Sequence, residues 1–346
     1  MNKKILAFVA IIAIVSAGMC GVYVNQQGLS TTQKTRTITD MLTRSVNIPK
    51  YVTRIVTLYP PATAVVYAVD GSADRLVGID KYSIANKGFE KIDPNINKKV
   101  NIGLQWTGVN KEEVLLLNPD VIIAGGRSRT KLEDIGIPTI YINTNNFDDV
   151  RNSLPLIGEV LQKSDRANDL VAYIDQKRSD IIDETSQIPD KKKVYMACFK
   201  PLQTFSGNTF QDELIGFSGG INVARNITAD FRPEISIEQV MMWNPDVIIL
   251  DPYCSVSPKN LLNDVIWQQI NAAQNGKVFR MPEFIGCWNT PVPESILGVG
   301  WLANELYPDK MNLNMTQEVK DFYRTFYNYT MPDEEIDLIL SGELMH

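Results

Sequence analysis

Apolar positions along this chain fall into two patterns that alternate. Short unbroken runs rich in β-branched residues occur at Arg54-Ile-Val-Thr-Leu58, Leu76-Val-Gly-Ile79, Val121-Ile-Ile123, Pro138-Thr-Ile-Tyr-Ile142, Lys193-Val-Tyr-Met-Ala-Cys-Phe199, Val247-Ile-Ile249 and Lys277-Val-Phe-Arg280. Such runs predict strands covered on both faces. Between them lie stretches with apolar residues at helical spacing, among them ATAVVYAV after Tyr59-Pro60-Pro61, Asp212 to Phe217, and Ile296 to Leu306. Strands that alternate with helices predict a parallel or mostly parallel sheet.

One unit is written twice. NPDVII occupies residues 118–123 and recurs at 244–249, and the likeness extends upstream, with Asn110-Lys-Glu112-Glu-Val114 against Ser236-Ile-Glu238-Gln-Val240. Asn110 and Ser236 offer an N-cap oxygen to the free amides of the next turn, and the glutamate two positions on suits the positive end of the helix dipole. Asn-Pro ends each helix, because the residue before proline avoids the α region and proline cannot continue the hydrogen-bond ladder. A single copy would be an ordinary helix-to-strand connector. Two copies with matched caps and glutamates predict two related lobes. For stability alone, Glu112 and Glu238 need do no more than steady a helix start, worth roughly 0.3 to 1 kcal/mol.

From Phe147 to Ile188 the residues Leu154, Ile157, Leu161, Leu170, Val171, Ile174, Ile181 and Ile182 keep helical spacing, with no glycine after Gly158. Lying between the two copies, this stretch reads either as a stiff connection between lobes or as one or two ordinary surface helices. The predicted organisation has a leader over 1–24, a polar tether over 25–50, an N-terminal α/β lobe over 51–150 and a connecting helix over 151–188. A C-terminal α/β lobe over 189–310 and a helical tail over 311–346, split at Pro332, complete it. The fold class is α/β, with two Rossmann-like lobes of mostly parallel sheet joined by a long helix.

Composition then narrows function by exclusion. An apolar share of 44% and a charged share of 21% describe a globular chain. Lys3 and Lys4 precede ILAFVAIIAIVSAGMCGVYV, an uncharged stretch that predicts export. Three modes stay open: a lipid on Cys20, an uncleaved helical anchor, or simple cleavage. Met19 stands where a lipoprotein signal wants a small residue. In each mode the body faces outward. Without the leader the formal charge moves from −6 to about −8, because only Lys3 and Lys4 are lost, and an acidic body argues against nucleic acid as a partner. Cys198, Cys254 and Cys287 match no zinc template and read as packing residues, with a Cys254 to Cys287 bridge as the lesser alternative. Asn226, Asn314 and Asn328 each open an Asn-x-Thr sequon.

Enzyme templates find no match: GxSxG, GxGxxG, a Walker A loop, HExxH and paired cysteines are all missing, and the single histidine is the last residue, His346. A base poised near neutral pH or a histidine-held metal ion is therefore not expected. Ligands of open α/β sheets gather beyond the carboxyl ends of the strands. There the sequence places Tyr59, Tyr82, Arg127, Arg129, Lys200, Tyr253 and Trp288, with Trp106 just before the first repeat helix. Each alone suits an ordinary surface or packing role. Together, on two facing lobes, they would stack on a flat or bulky ligand and neutralise an anionic one.

The ordered set RIVTLYPPATAVVYAVDGSADRLVGID, WTGVNKEEVLLLNPDVIIAGG, FSGNTFQDELIGFSGGINVA, SIEQVMMWNPDVIIL and NGKVFRMP resembles the substrate-binding proteins of ABC importers for iron complexes and cobalamin. That resemblance spans nearly all of residues 53–308. It implies two lobes joined by one rigid helix, a ligand cleft between them, a monomer with no intrinsic cofactor, and no catalysis. It also implies that Glu112 and Glu238 dock on arginines of the membrane permease, which works with its ATPase subunits. The branch of such proteins that binds bare zinc or manganese uses several histidines, so the cargo implied here is a chelate: a ferric siderophore, haem or a corrinoid. Tyr59, Tyr82 or Tyr253 would then be placed to ligate haem iron. Two other classes are carried beside it, a ligand sensor of the same fold and a membrane-anchored extracellular enzyme.

Overall fold

The computed structural model describes residues 34–126, 135–227 and 231–342. The leader with Cys20, and His346, lie outside the described residues. No described helix is long and apolar enough to cross a membrane.

The expected tether is not one throughout. Strands β1 (Thr35–Thr39) and β2 (Ser45–Pro49) form an antiparallel hairpin. Each strand buries one residue completely, Ile38 and Ile48, so the apolar signal was too thin to register as a strand pattern. Polar groups fasten the hairpin. The buried Asp40 carboxylate accepts the Leu42 and Arg44 amides at 3.0 Å, and the Arg36 guanidinium donates to the Glu159 carbonyl at 2.9 Å.

In the N-terminal lobe β3 (Ile55–Thr57) leads into α1 (Pro60–Asp70), and β4 (Leu76–Ile79) into α2 (Lys81–Ala85) and α3 (Lys87–Ile92). Short β5 (Val100–Asn101) follows, then the tight ladder of β6 (Gly103–Leu104) and β7 (Gly108–Val109), then α4 (Lys111–Leu117), β8 (Val121–Gly125) and β9 (Thr139–Ile142). The sheet runs β5-β4-β3-β8-β9, parallel throughout.

Two helices, α5 (Phe147–Leu161) and α6 (Ser164–Ser186), occupy the stretch read as one connector. Gln162, at φ 58°, breaks it, and the pair folds back as an antiparallel hairpin. Arg151 meets Asp175 at 2.7 Å, Arg178 meets Asp148 at 2.8 Å, and Gly158 lies against Ala167. Only α6, 23 residues and about 35 Å long, makes the crossing.

The C-terminal lobe holds β10 (Lys193–Ala197), α7 (Phe210–Phe217), β11 (Ile221–Asn222), α8 (Ile237–Trp243), β12 (Val247–Leu250), α9 (Pro258–Leu262), α10 (Asn271–Gln274), β13 (Val278–Arg280) and α11 (Ser295–Leu306). Its sheet runs β11-β10-β12-β13, again parallel throughout. The tail forms α12 (Met315–Tyr327) and α13 (Asp333–Leu340) and returns to the N-terminal lobe. Tyr327 packs on Tyr67 and Phe89, Lys91 pairs with Glu335, and Arg166 of α6 donates to the Phe326 carbonyl at 3.3 Å. Buried residues of both lobes, α5, α6, α11 and the tail therefore form one contiguous apolar core.

The repeated NPD now has a physical reason. Asn118 and Asn244 close α4 and α8 in the left-handed region, φ 43° and 45°, a conformation asparagine tolerates better than most residues. Asp120 accepts the Thr53 and Arg54 amides at 2.7 and 2.9 Å, and Asp246 accepts the Lys193 amide at 2.8 Å. The cationic side chain of the same neighbouring strand caps the helix above it: Arg54 reaches the Leu117 carbonyl and Lys193 the Trp243 carbonyl, both at 2.6 Å. Each copy is thus a clip holding a helix end to the strand beside its own.

Candidate functional site

Contacts on two flanks bring the carboxyl ends of the two sheets face to face. On one flank Asn86, between α2 and α3, donates its amide to the Phe284 and Ile285 carbonyls beyond β13, at 3.2 and 2.9 Å. Gly88 makes that approach possible, since a Cβ there would sit 2.6 Å from the Phe284 oxygen. On the other flank, Phe147 at the start of α5 stacks on Phe210 of α7 at 4.3 Å, and its amide donates to Glu213 at 3.0 Å. Between these ties the strand ends form the walls of a cleft.

On the N-terminal wall, Gln105 fixes the β6 to β7 turn. Its amide donates to the Leu58 carbonyl at 3.1 Å, and its side-chain oxygen accepts the Gly125 amide at 2.7 Å, so the turn is pinned to the ends of β3 and β8. Trp106 is carried outward on this turn, with the edge of Tyr59 behind it at 6.3 Å. Tyr59 itself is buried, and burial pushes its phenol well above the usual range. Tyr82 is exposed on α2, where Asp80 caps the helix through the Tyr82 and Ser83 amides, and the Lys81 ammonium lies 4.9 Å from the Tyr82 ring.

On the C-terminal wall Phe199 and Lys200 leave the end of β10, and Lys200 pairs with Glu234 at 2.7 Å. The Arg232 guanidinium lies over three rings, Phe199 at 4.7 Å, Phe231 at 4.9 Å and Phe205 at 5.8 Å. Beyond β12 the buried Asp251 accepts the Tyr253 amide at 2.9 Å and the Asn289 side-chain amide at 2.8 Å. Burial raises the Asp251 carboxyl, against the pull of Asn289. The neighbouring Cys287, and then burial, raise the Tyr253 phenol. The Cys287 thiol donates to Glu283 at 3.3 Å. Cys198, Cys254 and Cys287 are all free and buried, so the bridge considered between the last two does not form.

The structure therefore gathers Tyr82, Trp106, Lys200 and Tyr253 at the strand ends. Trp288 departs from expectation: its side chain is wholly buried in the core, because α11 packs so close at Gly298 that a Cβ there would meet the Trp288 carbonyl at 2.4 Å. Arg127 and Arg129 lie outside the described residues. Sequence reasoning missed Phe199, Phe231 and Arg232, whose partners come from three separated segments. Six aromatic side chains stand clearly exposed among the described residues, and five of them, Tyr82, Trp106, Phe199, Phe231 and Tyr253, belong to this face, each between 42% and 58% accessible. Among the described residues no group of three His, Cys, Asp or Glu side chains could hold a metal ion.

Comparison with known proteins places the chain among solute binders. Residues 55–284 match the family described as periplasmic binding protein. The chain is similar to the molybdate-binding protein MolA of Haemophilus influenzae, 29% identical over 84% of this chain and 91% of that one. It is also similar to the vitamin B12-binding protein of Yersinia pestis, 30% identical over 57% of this chain and 69% of that one. Among solved structures, a periplasmic solute binding protein from Veillonella parvula superposes with a TM-score of 0.81 and 30% identity, covering 88% of this chain and 97% of that one.

Proposed function

The chain belongs to the periplasmic binding protein family, and from that premise we propose that its cleft takes a bulky metal chelate, a ferric siderophore, haem or a corrinoid, for delivery to the permease and ATPase subunits of an ABC importer. Members of this family bind solutes outside the cytoplasm and are not enzymes, and the metal arrives as part of the cargo rather than as a resident cofactor. The observation that carries the chelate reading is the crowding of exposed aromatic rings at the strand ends of both lobes. Broad π faces suit a large, partly flat ligand and cost little to order, since each ring has few rotatable bonds. Arg232 and Lys200 add positive charge for an anionic chelate, and Arg127 and Arg129 follow β8 in the sequence. Tyr82, Trp106 and Tyr253 are the proposed direct contacts; Tyr59 supports Trp106 from behind. Because the lobes share one core and are tied on two flanks, the walls are set before the ligand arrives, and affinity comes from preorganisation rather than large closure.

A smaller cargo is the second reading. The likeness to a molybdate-binding protein over most of the chain favours a compact oxyanion, for which the cationic residues rather than the rings would serve. Retention at the membrane through residues 1–24, by a lipid on Cys20 or by the apolar stretch itself, belongs to the proposal and is tested by fractionation of cells carrying a Cys20→Ala variant. Glu112 and Glu238, one on each lobe, are both exposed on first helical turns and are proposed to meet cationic groups of the permease.

Tryptophan fluorescence of the full chain, titrated with ferric siderophores, haem, cobalamin and molybdate, separates the two readings. With Trp288 buried, Trp106 is the expected reporter, and Trp106→Phe should silence it. Saturable quenching by one chelate supports the proposal; a response to molybdate alone would replace the chelate with an oxyanion.

A further inference from the structure

The two clips share more than their glutamates. Four positions after Glu112 stands Leu116, and four after Glu238 stands Met242; their side chains are 80% and 75% accessible. Residues four apart lie one above the other on a helix, so each carboxylate and its apolar neighbour form one small surface, acidic above and apolar below. A lone exposed leucine would need no explanation. Here the same exposure recurs at the equivalent position of a duplicated unit, while the residues that bury, Val114 and Val240, are equally well matched.

Topology fixes where these surfaces point. Each helix runs into a strand of a parallel sheet, α4 into β8 and α8 into β12, so its first turn lies toward the carboxyl ends of the strands and its last turn toward their starts. The glutamates therefore flank the rim of the cleft, one on each lobe, and Leu116 and Met242 sit one turn lower on the outer walls. A partner that touches both surfaces spans the mouth. Two acidic groups call for a cationic receiver, and two copies of one motif call for a receiver that presents the same socket twice.

We infer that Leu116 and Met242 are docking knobs that seat in paired apolar sockets on the two-fold importer permease, beside the cationic groups that meet Glu112 and Glu238. This inference rests on the importer reading of the preceding section. The glutamates supply charge, which governs steering and orientation; the knobs exclude water beside the ion pairs and set how long the complex lasts.

The test measures binding of the cargo-free full chain to its permease–ATPase complex in nanodiscs, together with stimulation of ATP hydrolysis. The double variant Leu116→Ser with Met242→Ser should weaken binding about tenfold, mainly through faster dissociation, and each single variant by about threefold. Val265→Ser is the control, since Val265 is 76% accessible yet lies outside the repeated unit; it should change nothing. Circular dichroism confirms that each variant folds. If Glu112→Gln with Glu238→Gln weakens binding while the knob variants do not, the inference fails and the importer reading stands. If neither pair changes binding, the partner docks elsewhere and the inference fails; if the wild-type chain neither binds the complex nor stimulates hydrolysis, the importer reading itself falls. If sedimentation shows that the knobs hold two copies of this chain together, the occupant is a second copy and the inference is overturned.

Discussion

Set side by side, the two clips are built alike and differ in what they lead to. In the N-terminal copy Asp120 gathers three donors, the Thr53 amide and hydroxyl and the Arg54 amide. In the C-terminal copy Asp246 takes the Lys193 amide with one oxygen and the Asn271 side chain with the other. Beyond the strands the likeness ends. β8 finishes in Gly125, pressed against Gln105 and Tyr59, whereas β12 opens onto Asp251, Tyr253 and the ring-bound Arg232. The lobes also treat their buried acids differently. Asp80 is met by the Tyr82 and Ser83 amides and by the hydroxyls of Ser83 and Thr63. Glu294, wholly buried in the C-terminal lobe, accepts the Tyr327 hydroxyl at 3.2 Å. A duplicated frame has kept its fastenings and let its rims diverge, which is where chemistry can vary without loss of fold.

The largest predicted effect exploits the second of these acids. Burial raises the Glu294 carboxyl to about 7. The native state then holds a proton that the unfolded chain, titrating near 4.5, has released, so stability is fully present below about 4.5, declines as pH rises, and is flat above about 7. Replacing the acid by an amide should flatten that slope and make the protein more stable at pH 8 by about 3 kcal/mol. Urea melts of Glu294→Gln and wild type between pH 4 and 8 measure it; parallel curves across that range would show that Glu294 does not titrate there.

Next comes the difference between the clips. Asp120→Ala should cost about 3 kcal/mol and Asp246→Ala about 2 kcal/mol, in keeping with three donors against two, each hydrogen-bonded to a charged acceptor. Denaturant unfolding gives both values, and a reversed order would mean that the Asn271 contact matters more than its count suggests. Asn118→Ala should lose about 1 kcal/mol with Asn118→Gly near wild type, because the site is left-handed, whereas Asn244→Ala should lose more, since the Asn244 side-chain oxygen also accepts the Asn271 amide at 2.8 Å. Equal losses there would mean that the Asn271 contact adds nothing to the second copy. Smallest of all, Glu234→Gln removes the surface partner of Lys200 and should leave the thermal midpoint within about 2 °C. It should still tighten binding of an anionic cargo, by freeing the ammonium to face the cleft.

Much of this architecture was legible because its signals are local. β-branched runs, helix caps and Asn-Pro stops act within a few residues, so the alternation of strands and helices, both parallel sheets and the duplicated unit could be read directly. The hairpin at Thr35 to Pro49 was not legible, since one buried isoleucine per strand makes no pattern, and its fastening by Asp40 and Arg36 depends on residues far along the chain. The break at Gln162 was hidden for a similar reason: no proline or glycine marks it, and the fold-back rests on Arg151, Asp175, Arg178 and Asp148 meeting across the hairpin.

At the cleft the division is sharper. Sequence alone determined that aromatic and cationic residues follow the strands of both lobes, that histidine chemistry is absent from the body, and that each lobe carries a glutamate on the first turn of an equivalent helix. Only the tertiary structure decided which of those aromatics face outward. Trp106 is carried out on a turn pinned by Gln105, while Trp288, equally placed by its position after a strand, is sealed beneath α11. It also decided that Arg232 joins Phe199, Phe205 and Phe231, and that the tail spans the lobes through Tyr327 and Glu335. The reason is physical: backbone preference is set by near neighbours along the chain, whereas exposure is set by whatever else packs on the same spot, and that packing is written in residues 100 or more positions apart.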